Sequence, residues 1–124
     1  MDLNQSKIPV AEYEKLAPLW NPTKLDAESW VEMAQQAGMK YIVITSKHHD
    51  GFAIFDSKVS RWNVVAATPF KRDVLKELAA AGQKHGMPLG FYYSQSQHWQ
   101  EPGGAGNDWD FGPDLGPDGK ERKD

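Results

Sequence analysis

Residues 41–52 read YIVITSKHHDGF, an apolar β-branched run that ends in two adjacent imidazoles, a carboxylate and a glycine. Ile42, Val43, Ile44 and Thr45 favour extended backbone. No polar alternation interrupts them before Ser46, which predicts a strand covered on both faces, as in a parallel sheet. Lys47, His48, His49 and Asp50 then fall on the loop at the strand's C-terminal end, where α/β proteins gather their reactive groups. Gly51 permits a tight turn or the close approach of a ligand, and Phe52 can close the loop by packing back down. Adjacent histidines on a loop are also commonly just solvated, so spacing alone leaves a site and a solvated surface evenly balanced.

Working outward, residues 10–18 (VAEYEKLAP) predict a short helix broken by Pro18, and an NPTK turn leads to a second helix over 27–37. Asp26 can cap that helix, Glu28 adds favourable charge in its first turn, and Gly38 suits a left-handed stop. Trp30, Met33, Ala34 and Ala37 give it an apolar stripe at helical spacing, and the strand is expected over 40–46. A short apolar segment, 53–55, and an irregular stretch, 56–70, separate it from a third helix over 73–85. That helix has Asp73 as cap, Leu75, Leu78, Ala79 and Gly82 on one face, and Gly86 at its end. A second strand, PLGFYYS, spans 88–94. The order helix, strand, loop, helix, strand predicts an α/β fold with parallel strands joined by right-handed crossovers. From Gln95 to Asp124 the Gly-, Pro- and Asp-rich sequence predicts a loop-rich tail with a frayed terminus.

A chain of 124 residues, 40% hydrophobic and 25% charged, fits one soluble globular domain over 1–124. The net charge of −3 and the scattered basic residues argue against nucleic acid or an anionic membrane as partner. With no cysteine, disulfides and thiolate zinc sites are excluded. The first ten residues lack the basic and apolar regions of a signal peptide, and no apolar stretch reaches the length of a membrane span. The expectation is a cytoplasmic chain as it stands.

Four features converge at one end of the sheet if these strands hold: His48 with His49, Trp62 with Asn63, Tyr92 with Tyr93, and His98 with Trp99. Aromatic rings beside imidazoles and amides suit a sugar, which offers apolar C–H faces to stack on and hydroxyls that need directional hydrogen bonds. The competing reading is that such aromatic residues pack the core or its rim. A metal held by His48, His49 and Asp50 is disfavoured, because neighbouring side chains diverge and no third ligand stands at a suitable spacing. His85, beside Gly86, reads as a helix-end residue placed on the dipole.

The segments LWNPTKLDAESW (19–30), AGMKYIVITSKHHDGFAIFDSK (37–58), KRDVLKELAAAGQKHGM (71–87) and GFYYSQSQHW (90–99) carry a resemblance. With them, residues 13–111 resemble part of the catalytic domain of the glycoside hydrolase family twenty-nine α-L-fucosidases. The resemblance implies a partial (β/α)8 barrel and hydrolysis of terminal α-L-fucose from fucosylated oligosaccharides with retention of configuration, with transfucosylation as a variant. It implies no metal and no organic cofactor. It assigns His48 and His49 to the fucose hydroxyls and Tyr92 to the sugar's neighbourhood, with Tyr93 beside it. Residues 94–112 are similar to the branch preferring α-1,3/1,4-linked fucose.

The sequence also departs from that family. A barrel of this kind needs about 250 residues, whereas two strands are legible here. The upstream histidine-bearing strand, the nucleophilic aspartate in its Trp-x-Asp-Gly-like context and the acid/base carboxylate find no counterpart, and NDWDFG at 107–112 is not that motif. Asp50 is then the candidate catalytic carboxylate, ahead of Glu101, Asp108 and Asp110. The rival reading of an aspartate before glycine is that it braces its own loop. Open strand edges and apolar helix faces predict a homo-oligomer whose copies complete the barrel walls. Three functions stay in view: a truncated α-L-fucosidase, a non-catalytic fucose-binding module, and an inactive fragment.

Overall fold

The computed structural model describes residues 6–101 and 108–111, with the side chain of Asp108 outside the description. The chain starts with a one-turn helix, α1 (Val10–Tyr13), which tightens into a 3-10 helix over Glu14–Leu19 that contains Pro18. There follow α2 (Ala27–Gln36), β1 (Ile42–Lys47), α3 (Val64–Ala67), α4 (Val74–His85), β2 (Leu89–Tyr93) and α5 (Asp108–Phe111). β1 and β2 pair in parallel, with Ile42 opposite Leu89 and Thr45 opposite Tyr92, and the ladder is irregular between Thr45 and Lys47. Among the described residues this is a parallel α/β arrangement of two strands, and the sheet is not closed into a barrel.

The two main helices begin where their caps dictate. The Asp26 carboxylate accepts from the N–H groups of Glu28 and Ser29, and that of Asp73 from Lys76 N, satisfying donors that a helix start leaves open. Gly86 ends α4 in the left-handed region at φ +66°. α2 and α4 lie together on one face of the sheet, and their buried faces meet over Val31, Leu78, Val74 and Ala81 with Phe70 and Met87. Gly82 is required there by space, since a Cβ on it would sit 2.8 Å from the carbonyl oxygen of Met87, where the chain turns back toward β2.

Four expectations are corrected here. The buried stripe of α2 is Ala27, Val31 and Ala34, while Trp30 and Met33 stand 48% and 65% exposed and Ala37 is exposed too. The period was right and the phase was not, because the small residues admit close approach to α4. In α4 the expected Leu78 and Gly82 are buried and Leu75 is half-buried, joined by Val74 and Ala81, and of the expected face Ala79 points out. β1 is covered on one side only: Ile42 and Ile44 pack on the helices, while Val43 remains 59% exposed on the other face. The stretch expected to be irregular contains α3, whose start is capped by Asn63.

Of the expected tail, residues 95–101 form loop and α5 is a single turn. The carboxylate of Asp110 in α5 accepts from Val10 N at 2.8 Å, and the remainder of that tail lies outside the described residues. Among the described residues, no helix is long and apolar enough to cross a membrane.

Leu78 is 1% exposed at the α2–α4 seam. Truncation to alanine is expected to cost about 2–5 kcal/mol, read as a lower urea midpoint with unchanged slope, whereas Met33→Ala on the exposed flank should change stability by less than about 0.5 kcal/mol.

Candidate functional site

Parallel pairing sets the ends of β1 and β2 side by side, and the side chains beyond them meet. The His48 ring lies 4.0 Å from that of His49, and 5.7 Å from that of Tyr92. His49 is fixed from several directions. Its Nδ1 is 2.7 Å from Ser94 Oγ, its carbonyl accepts from Trp99 N at 2.8 Å, and the Trp99 ring stands 5.7 Å from the imidazole. His48 and Tyr92 are exposed, whereas Ser94 and Trp99 are buried. The result is an open cluster of two imidazoles and a phenol mounted on a fixed base.

That base is built around Lys47. It is 4% exposed, and its Nζ donates to the carbonyls of Ser94 at 2.6 Å and Gln97 at 3.1 Å while lying 5.2 Å from the centre of the Tyr93 ring. Burial pulls its pKa below the usual lysine value, and the negative charge of Asp50 opposes that shift. Tyr93 therefore does not join Tyr92 at the imidazoles: successive strand residues point to opposite faces, so the expected tyrosine pair is divided.

Asp50 is tied down at both oxygens. Oδ1 accepts from Phe52 N at 3.2 Å and Oδ2 from the Tyr13 hydroxyl at 2.9 Å, while its main-chain carbonyl accepts from Trp62 Nε1 at 3.1 Å. Burial first, then the charge and hydrogen bond of Asp50, push the Tyr13 phenol up to about 12, so at neutral pH it keeps its proton and donates. Trp62 packs edge-on against Phe52 at 5.1 Å and near Tyr13 at 6.5 Å. Asn63, expected beside it at a sugar, is 1% exposed. Its Oδ1 caps α3 through Val65 N and Ala66 N, and its Nδ2 donates to Ser60 O. That placement corrects the Trp62–Asn63 pairing: the amide serves backbone, not a ligand.

His98 lies against the loop rather than in the open cluster. Gly51 adopts φ +76°, and a Cβ there would stand 2.6 Å from His98 Cε1, so the ring presses on the glycine backbone. Burial, then the charge of Lys47, lower the His98 pKa, against a smaller upward pull from Glu101.

Away from this end, His85 closes the last turn of α4 before Gly86, as expected, and also reaches across to α2. Its Nε2 is 3.1 Å from Glu28 and 3.8 Å from Glu32 across the α2–α4 seam, and its carbonyl accepts from Gln35 Nε2. Among the described residues, these three side chains form the one group of three whose His and carboxylate ligand atoms all lie within 4.8 Å of one another. Lys84 also bonds the same Glu28 oxygen, which suits an ion-paired clasp between helices.

Sequence reasoning missed Tyr13 and Ser94, and it set Lys47 on the loop, whereas Lys47 is the buried last residue of β1. The available signal was a lysine continuing an apolar strand, which must find acceptors once buried. Chemically, the open cluster supplies rotatable donors and acceptors on imidazole and phenol beside a ring face, a set suited to hydroxyls around an apolar C–H surface.

A family model described as Alpha-L-fucosidase matches residues 3–122. Plasma alpha-L-fucosidase of Homo sapiens is 40% identical over 96 residues, which are 76% of this chain and 20% of that relative. The solved unliganded alpha-L-fucosidase AlfC from Lactobacillus casei superposes with a TM-score of 0.85 at 46% identity, covering 88% of this chain and 37% of that one. The alpha-L-fucosidase from Vibrio sp. strain EJY3 gives a TM-score of 0.87 at 40% identity, over 90% and 20%. The chain thus spans about a fifth of the curated relative and just over a third of the AlfC structure.

His98 is expected to titrate below the ordinary imidazole value of 6.5 in an NMR pH series. Because its folded pKa is depressed, its contribution to stability is full above about 6.5 and is lost as pH falls through the folded value. Gly51→Ala is expected to displace the His98 ring and lower the thermal midpoint by several degrees, through both the positive φ and the contact.

Proposed function

Since this chain belongs to the α-L-fucosidase family, we propose that it serves the hydrolysis of terminal α-L-fucose from fucosylated glycans with retention of configuration, with His48, His49 and Tyr92 holding the fucose. The observation that carries this reading is the ring cluster at the paired strand ends, with His48 between His49 and Tyr92. A variant of AlfC has been solved in complex with Fuca(1,6)GlcNAc, which supports a fucosylated glycan as the substrate class. In this assignment Trp99 and Ser94 orient His49, His98 supports the Gly51 turn, and Tyr93 seats Lys47. Transfucosylation follows when a sugar hydroxyl replaces water as acceptor.

Retention requires two carboxyl groups about 5–5.5 Å apart, one nucleophilic and one acting as acid and then base. Asp50, with both oxygens bonded, acts here as the brace of the histidine loop. The hydrolytic carboxylates then come from outside the described geometry. A second copy of this chain, docking on the open sheet face around Val43 and Phe91, is proposed to complete the barrel walls and to bring Glu101, Asp108 and Asp110, the remaining candidate carboxylates, to the junction. The engagement of Asp50 also favours a second reading, in which the isolated chain binds fucose without turnover.

Calorimetry with L-fucose and turnover of a chromogenic α-L-fucoside separate these. Fucose is expected to bind, and His49→Ala to weaken it about tenfold, the equivalent of one good hydrogen bond. Turnover is expected to rise more steeply than linearly with protein concentration. Asp50→Asn should lower it by less than about tenfold, where loss of a nucleophile costs several powers of ten. No binding of fucose rejects the assignment; binding with no turnover at any concentration selects the binding module.

A further inference from the structure

Glu28 and Glu32 stand one helical turn apart on α2, and the His85 ring faces both from the last turn of α4. We propose that these three side chains form a binding site for a divalent cation of the zinc class, which ties α2 to α4. His85 lies four residues before Leu89, the start of β2, so the site is at the opposite end of that strand from Tyr92 and acts on the helix seam.

Ligand atoms about 2.0–2.2 Å from a tetrahedral zinc ion lie roughly 3.3–3.6 Å from one another. His85 Nε2 is 3.1 Å from Glu28 Oε1 and 3.8 Å from Glu32 Oε1, on either side of that span, and all three ligand atoms fall within 4.8 Å of each other. The two carboxylates converge because positions i and i+4 share a helix face. The imidazole is the fixed member: its side chain is 19% exposed, and the carbonyl of the same residue accepts from Gln35 Nε2 at 2.6 Å. The glutamate side chains are 44% and 49% exposed, which leaves a cation a path from solvent and lets the carboxylates rotate onto it.

Donor chemistry selects the ion. Calcium and magnesium are held by oxygen ligands, whereas an imidazole beside two carboxylates suits zinc. The two carboxylate charges offset the cation's, and water fills the fourth position. The rival for these groups is Lys84, whose ammonium bonds the same Glu28 oxygen. Its side chain is 64% exposed, and an ion pair so placed contributes little, so a cation held by three groups displaces it. Glu32 separates the two arrangements: the bond of Lys84 goes to Glu28 and the His85 contact of Glu32 is the longer one, yet Glu32 is one of three metal ligands.

The test is calorimetric titration of the intact chain with zinc chloride, and with magnesium chloride as control, for the unaltered protein, Glu32→Gln and His85→Gln, together with NMR of the imidazole signals. Glu32 is exposed, so its replacement leaves the core intact and a loss of affinity reads the ligand itself. The expected result is one bound zinc per chain that moves the His85 ring signals, with no comparable response to magnesium. Free zinc a hundredfold above its dissociation constant is expected to raise the thermal midpoint by roughly 10 °C. Each variant should weaken zinc by at least about tenfold, since even an outer partner of a metal ligand is worth that much. Zinc that fails to bind, that binds either variant as tightly as the unaltered chain, that moves only the His48, His49 or His98 signals, or that magnesium matches overturns the proposal.

Discussion

A buried ammonium group holds the strand ends of this protein in place. Lys47 sits at the irregular end of β1, almost wholly out of water, and spends its donors on the carbonyls of Ser94 and Gln97 beyond β2. A charge so placed is costly unless hydrogen-bonded, so the segment after β2 is drawn to the end of β1. Ser94 then reaches His49 with its hydroxyl, and Trp99 reaches the His49 carbonyl with its N–H. Break the lysine's bonds, and the positions of the imidazoles relative to Tyr92 lose their support.

The second support is the aspartate that follows the histidines. Asp50 is bonded to Tyr13 from the N-terminal helix and to its own loop at Phe52, while Trp62 closes on its carbonyl. Gly51 lets the loop turn at positive φ and lets His98 rest directly on the backbone. Lys47 and Asp50 thus clamp the two histidines from either side in the sequence, one by binding carbonyls and the other by accepting N–H and O–H donors. Function is placed on a loop, and the loop is made rigid by the scaffold beneath it.

Much of this order is legible in the sequence, and what escapes it has a common physical origin. Capping by Asp26 and Asp73 and the stop at Gly86 are local events, so residues near in sequence decide them. The histidine pair is likewise legible because strand ends carry loops. The phase of α2 was not, since Trp30 and Met33 satisfy helical spacing as well as Ala27, Val31 and Ala34 do. Only the approach of α4 selects the smaller set. Asn63 looked like a ligand amide because nothing local announces a one-turn helix, and Tyr93 looked like a partner of Tyr92 until the pleat separated them. The two-sided burial expected of β1 presupposes a neighbouring wall, and here Val43 faces outward instead.

The central claim is that His48, His49 and Tyr92 act together on one fucose. Its most direct measurement is an NMR titration of side-chain imidazole and phenol signals with L-fucose, using D-galactose as a control of similar polarity. The His48, His49 and Tyr92 signals are expected to shift along a single binding isotherm with L-fucose and to stay in place with the control. Shifts confined to other residues, or a His48 and His49 response without Tyr92, would contradict it.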